Sequence, residues 1–214
     1  VAGWVCGERA FAWKVYAPQA ESFEALLAEA LADFGVNNQA TTLPTSEGDI
    51  TLRPARMDDM PAFRVLRLQA LRDHPEAFSA DYQTHLAADD SYWARYFNFG
   101  ENSIIYFAFH DDNLIGMTGV RLDTSPKTKH NANIEGVYVL PEWRGHGIAR
   151  ALIHACCDWA REHGALIARL GVTTTNQSAI KCYESCGFKV TGTDPMAICV
   201  DGKFYDEYLM AREL

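Results

Sequence analysis

The stretch Val139-Leu140-Pro141-Glu142-Trp143-Arg144-Gly145-His146-Gly147-Ile148-Ala149 runs from an apolar strand, through a turn punctuated by two glycines, directly into a helix. The first turn of a helix leaves its backbone N–H groups unpaired, and the aligned peptide dipoles make that end positive. Such a place suits a phosphate. Gly145 and Gly147 put no Cβ in the way, so a ligand can approach the main chain closely. The amides of Gly145, His146, Gly147, Ile148 and Ala149 would gather round it, and Arg144 either adds a charged contact or braces the turn. No G-K-[ST] follows, so this is not a nucleotide P-loop. A second stretch, Asn176-Gln177-Ser178-Ala179-Ile180-Lys181-Cys182-Tyr183-Glu184-Ser185-Cys186-Gly187-Phe188, opens a helix on an Asn N-cap and places the Tyr183 hydroxyl two turns on. A phosphate cradle beside a proton donor points to group transfer from a phosphorylated carrier.

The bulk properties narrow the field. At 214 residues the chain can hold one full-sized domain with a small appendage. Its 48 % hydrophobic and 22 % charged residues are ordinary for a globular protein. No apolar run is long enough for a membrane span, and the N-terminus does not read as a signal peptide. A net charge of −9 disfavours nucleic-acid binding and would draw in cationic substrates such as amines. Any polyanionic ligand then needs local cations, and Arg144, Arg150 and Lys181 flank the two stretches. The six cysteines form neither a CxxC pair nor a ligand set with histidine, so no metal is expected and reduced thiols in the cytoplasm are the simpler reading. Cys186, directly before Gly187, reads as small-residue packing at a helix end.

Outward from the two stretches, the chain divides into three parts. Residues 1–36 read as a ββα extension: a hairpin across Gly7-Glu8, then Phe23, Leu26, Leu27, Ala30, Leu31 and Phe34 on one apolar helix face. That face must pack on the main domain or on a second copy, so a homodimer is one expectation. Residues 37–48 read as a polar linker. From residue 49 the order becomes β-α-α-β-β-β-α-β-α-β-β, which predicts an α/β (α+β) domain with a mixed sheet and helices on both faces. Strands are predicted at 50–54, 103–110, 114–123, 132–140, 166–173, 188–200 and 204–211, and helices from Asp58 to His74, over 90–98, 147–163 and 176–186.

Taken together, Arg144-Gly145-His146-Gly147-Ile148-Ala149 resembles the acyl-CoA pyrophosphate signature R/Q-x-x-G-x-G/A. The N-x-x-A-x-x-x-Y-x-x-x-G-F pattern of residues 176–188 resembles the helix that follows it in the GCN5-related N-acetyltransferase (GNAT) superfamily. The resemblance covers residues 50–214 and implies a mostly antiparallel sheet and acetyl-CoA as cosubstrate. By position, it implies that Val137, Tyr138 and Val139 offer backbone groups to the pantetheine arm where their strand splays from the one at 166–173. The amides of residues 145–149 would hold the pyrophosphate, Asn176 would bond the pantetheine, and Arg150 and Lys181 would meet the adenosine end. Tyr183 would stand beside the thioester sulfur.

The chemistry follows from pKa values. An alkyl amine with a pKa near ~10.4 is almost wholly protonated at neutral pH, and freeing it costs more than ~4 kcal/mol. A base must take that proton, while the leaving thiolate is readily protonated by a phenol. Tyr183 is assigned as the general acid and Glu135, a carboxylate in an otherwise apolar strand, as the base. Ungapped motif alignment puts the histone-type glutamate at Asn133 instead, so Asp206 and Glu207 stand as fallbacks. The expected acceptor is a small-molecule amine. Acetylation of a protein or peptide is the alternative, and it is disfavoured by Leu170-Gly171-Val172, where ribosomal-protein-type relatives carry L-E-V. A non-catalytic acyl-CoA-binding module is the third reading. Phe78, Leu68 and Leu71 are expected near the acceptor, with Lys129 and His130 in a loop by its entrance.

Overall fold

The computed structural model describes residues 40–98 and 100–214; the extension read at 1–36 and the first linker residues lie outside them. Among the described residues there are eight strands: β1 (Thr41–Thr45), β2 (Gly48–Pro54), β3 (Ser103–His110), β4 (Asn113–Leu122), β5 (Asn131–Val139), β6 (Ile167–Thr173), β7 (Lys189–Val200) and β8 (Lys203–Glu213). The helices are α1 (Met60–Asp73), α2 (Tyr82–Leu86), α3 (Asp90–Ala94), α4 (Ile148–Glu162) and α5 (Gln177–Ser185). They form one sheet in the order β1-β2-β3-β4-β5-β6-β8-β7, antiparallel everywhere except between β5 and β6. The predicted mixed, mostly antiparallel sheet is therefore observed.

Two elements differ from the sequence reading. Thr41–Thr45, read as linker, is an edge strand paired with β2. Its threonines favour extended backbone, and Pro44 is tolerated because an edge strand does not need every donor. Tyr82–Leu86 forms a short helix with no apolar repeat long enough to be legible; its Asp81 cap accepts the Thr84 N–H at 2.7 Å.

Strand alternation sends side chains to two cores. In β3, Ile104, Tyr106 and Ala108 join the α4 side, while Phe107 and Phe109 pack with Phe63, Leu66 and Trp93 on the α1 side. Helix α4 buries Ile148, Leu152, Ile153, Cys156, Cys157, Trp159 and Ala160. Each of the larger side chains contributes ~1.5–3 kcal/mol. Helix α1 is anchored at its start by a two-pronged ion pair in which the Arg53 guanidinium donates to both Asp59 oxygens at 2.7 Å. It ends where His74 meets Pro75, as the sequence indicates.

Two features of the sheet prepare a site. Strands β5 and β6 pair only over Asn131–Asn133 and Ile167–Arg169, then part. Where they part, β5 carries a bulge: Met117 faces Tyr138 and Gly119 faces Glu135, so Thr118 alone spans Gly136 and Val137. Gly136 takes φ +67 there, a conformation open to glycine.

Candidate active site

The gap between β5 and β6 opens into a cavity of about 950 Å³. Along one wall run Val137, Tyr138 and Val139, along the other Leu170, Gly171, Val172 and Thr173. Splayed strands leave main-chain donors and acceptors facing the space between them. The cavity is thereby suited to an extended, amide-bearing chain.

At one end stands the glycine turn. Gly145 and Gly147 adopt φ +87 and +79. No atom lies within 4 Å of where a Cβ on Gly145 would project, and one on Gly147 would meet Arg150 Nη2 at 3.5 Å. Gly147 caps α4 without any side-chain bond. The first amides of α4 are therefore left for a ligand, and the donor set fits a diphosphate. Arg144 braces this turn: Nε donates to the Val139 carbonyl at 3.1 Å and Nη2 donates to His74 Nε2 at 3.1 Å. His146 does not line the cavity; its ring turns back, with Nδ1 3.4 Å from the Trp143 carbonyl. Gly145, Gly147, Ile148, Ala149, Arg150 and Lys181 all do line it. Arg144, Arg150 and Lys181 concentrate positive charge at this end of an acidic protein.

Helix α5 supplies the far wall. Asn176 Oδ1 accepts the Ala179 N–H at 3.1 Å and the Ser178 hydroxyl at 3.0 Å, which leaves its amide nitrogen free to face the cavity that it lines. Tyr183, two turns on, is buried against Phe188 and reaches the same cavity. Burial, with Cys182, Cys186 and the Glu207 carboxylate nearby, pushes its phenol well above the ordinary value. The phenol stays protonated throughout the physiological range.

The opposite end is acidic. Glu76, Glu135 and Glu207 line it together with Phe78 and Arg67. Glu135 leaves the strand just before the bulge; its Oε1 accepts from Arg121 Nη2 at 2.8 Å, and both side chains are about half exposed. Glu207, on β8, lies against Gly171, whose Cβ would come within 2.9 Å of Oε2. Burial, reinforced by Asp194, raises the Glu207 carboxyl above its ordinary value. Asp206 is turned away and accepts the Met196 N–H at 2.8 Å. Thr173 donates a 2.6 Å hydrogen bond to the Glu76 carbonyl, which ties the loop after α1 to the end of β6. Leu71 is a core residue of α1, and Leu68 packs against the α1-side core beside Phe78. Neither Lys129 nor His130 lines the cavity. A cavity of about 290 Å³ adjoins the first, with Arg67, Glu135 and Gly136 in the walls of both. Sequence reasoning missed Arg67, because an arginine on an amphipathic helix ordinarily reads as solvated charge.

An extended cleft with a cationic nest at one end and a buried phenol in its wall is suited to a coenzyme-A-type thioester, and comparison with known proteins gives the family. Residues 68–188 match the model of the acetyltransferase (GNAT) family. An uncharacterised N-acetyltransferase of Mycobacterium tuberculosis (strain ATCC 25618 / H37Rv) is 33 % identical over 111 residues, which are 51 % of this chain and 67 % of that protein. A mycothiol acetyltransferase of Acidothermus cellulolyticus is 30 % identical over 165 residues, 72 % of this chain and 48 % of that protein. The chain thus spans about half the length of the latter. The protein yncA from Salmonella typhimurium, solved with its cofactor acetyl-CoA, superposes with a TM-score of 0.64 at 22 % identity, over 77 % of this chain and 94 % of that one. The chain belongs to the GNAT family, and the enzyme class is an acetyl-CoA-dependent N-acetyltransferase. Among the described residues, no helix is long and apolar enough to cross a membrane.

Proposed function

We propose that this enzyme moves an acetyl group from acetyl-CoA to the primary amine of a small molecule, with Tyr183 as general acid and Glu207 as general base. The observation that carries the reading is that a buried phenol and a half-buried carboxylate line one cleft, beyond a glycine nest suited to a diphosphate. Acetyl-CoA supplies an acetyl group already activated as a thioester. The amides at Gly145, Gly147, Ile148 and Ala149 and the charges of Arg150 and Lys181 hold its phosphates, while the parted strands and the Asn176 amide align its arm.

Proton handling falls to the side chains at the other end. The acceptor arrives as an ammonium, favoured by Glu76, Glu135 and Glu207. Glu207 takes its proton: a carboxyl raised by burial is a stronger base than an exposed one, and no cation among the described residues is paired with it. The freed amine then forms the C–N bond as the C–S bond breaks; Tyr183 delivers its proton to the departing sulfur and is reprotonated, through water, by the proton that the acylated nitrogen sheds on becoming a neutral amide. Glu135 is the second candidate for the base, acting through water at the bulge; its pairing with Arg121 favours Glu207 instead. A small acceptor is supported by Gly171, where the space above the strand is filled by the Glu207 carboxylate.

Coenzyme release measured across a panel of small amines and peptides tests the assignment. Turnover confined to small amines is expected. Equal or better turnover of peptide N-termini would replace the acceptor class, and binding of acetyl-CoA without release from any acceptor would remove the catalytic reading.

A further inference from the structure

Arg67 projects from α1 to the partition between the two cavities and forms part of both walls. Its guanidinium stacks on the Phe78 ring, 4.8 Å from the centroid. Nη1 lies at the β5 bulge, 3.6 Å from where a Cβ on Gly136 would stand. The Tyr96 hydroxyl sits beside it and is oriented from behind. His85 Nδ1 donates to the Asp81 carbonyl at 2.9 Å, which leaves Nε2 to accept from Tyr96 at 2.9 Å. The Tyr92 hydroxyl also stands 3.2 Å from Nε2, and the Tyr96 oxygen meets both Tyr92 and the guanidinium.

What this guanidinium lacks is an anion. Its Nε is buried with no hydrogen-bond partner. No carboxylate among the described residues forms an ion pair with it, and Glu135, whose field it feels, is bonded to Arg121 at 2.8 Å. A buried charge without a counter-ion is costly to keep, and a planar guanidinium held by stacking is preorganised for a carboxylate. Arg95 and Arg121 line the adjoining cavity, so its walls carry three arginines against the one carboxylate of Glu135.

We infer that the acceptor amine carries its own carboxylate and that Arg67 holds it, which makes the acceptor an amino acid. This rests on the acetyl-transfer reading of the cleft. Arg67 lines the same cavity as Tyr183 and Glu207, so one acceptor can present its amine to them and its carboxylate to Arg67. The 290 Å³ cavity beyond Arg67 is sized for a modest side chain.

The test compares matched acceptors: L-methionine, its amide and 3-(methylthio)propylamine, and L-phenylalanine, its amide and phenethylamine, each followed by coenzyme A release. The amino acid is expected to exceed both carboxylate-free partners in kcat/KM by on the order of 100-fold. The amide has the more readily deprotonated amine, so amine basicity cannot create that order. Arg67→Gln should erase the preference through KM, and Arg67→Lys should restore part of it. Melting temperature and acetyl-CoA affinity of both variants should match the parent, which separates this role from a structural one. Equal release from acids, amides and amines would overturn the carboxylate assignment and leave acetyl transfer intact. So would a loss of kcat in Arg67→Gln that is the same for acceptors with and without a carboxylate. Silence with every acceptor would overturn both readings.

Discussion

Glu207 reaches back across β6 to rest on Gly171, two residues from its cross-strand partner Thr173, at a distance that leaves no room for a methyl group. A Cβ on Gly171 would stand 2.9 Å from Oε2 and would have to displace the carboxylate. Gly171→Ala should therefore lower kcat by roughly tenfold while acetyl-CoA affinity holds. The loss should not add to that of Glu207→Gln, because residues in contact act on one event. Additive losses in the double variant would show that the two positions act independently.

Glu207 also sets a pH dependence. Burial raises its pKa in the folded protein above the unfolded value, so the folded state binds the extra proton. Below the unfolded pKa both states are protonated and Glu207 has no effect on stability. As pH rises to the folded pKa, stability falls, and above it the full penalty of a partly buried carboxylate is present. The same raised pKa should appear as the acid limb of the kcat/KM profile, since only the ionised form accepts a proton. Glu207→Gln should flatten that limb, lower the rate on the order of 100-fold and leave the protein no less stable at neutral pH. An unchanged limb in this variant, with its loss in Glu135→Gln, would transfer the role to Glu135.

Tyr183 stays protonated far into the alkaline range because its phenol is buried near Glu207 and two thiols. Its ionisation should thus not produce an alkaline limb near neutrality. Tyr183→Phe keeps the ring that packs on Phe188 and removes only the proton donor. It should cost ~100-fold or more in kcat, with acetyl-CoA affinity within about twofold of the parent. Titration calorimetry beside single-turnover kinetics separates the two effects.

The coenzyme end of the candidate site is one that sequence can propose and the acceptor end largely is not, for a physical reason. A diphosphate nest is built from consecutive residues, so the proposed one falls in a single turn around Gly145 and Gly147, and Tyr183 follows from Asn176 by helical spacing. The acceptor end is assembled from places far apart in the chain: Arg67 on α1, Glu135 at the bulge, Glu207 on β8. No periodicity links them. Glu207 became distinguishable from Asp206 only through the strand register, which turns one towards Gly171 and leaves the other bonded to the Met196 amide. Strand β1 was hidden because Thr-Thr-Leu-Pro-Thr is polar and carries proline, and edge strands tolerate both.

Gly147 and Gly202 share φ +79 but differ in what surrounds them, which allows backbone strain to be separated from ligand contact. Gly202 turns the β7–β8 hairpin with nothing within 4 Å of its missing Cβ. Gly147 caps α4 inside the cleft, with Arg150 Nη2 at 3.5 Å. Alanine at either position must adopt a left-handed conformation at a cost of roughly 1–2 kcal/mol. Both variants should therefore melt a few degrees below the parent. Only Gly147→Ala should also weaken acetyl-CoA binding, by about tenfold, because its methyl group enters the space where the main chain meets the diphosphate. Equal coenzyme affinity in the two variants, measured by calorimetry with acetyl-CoA, would place the diphosphate away from this turn.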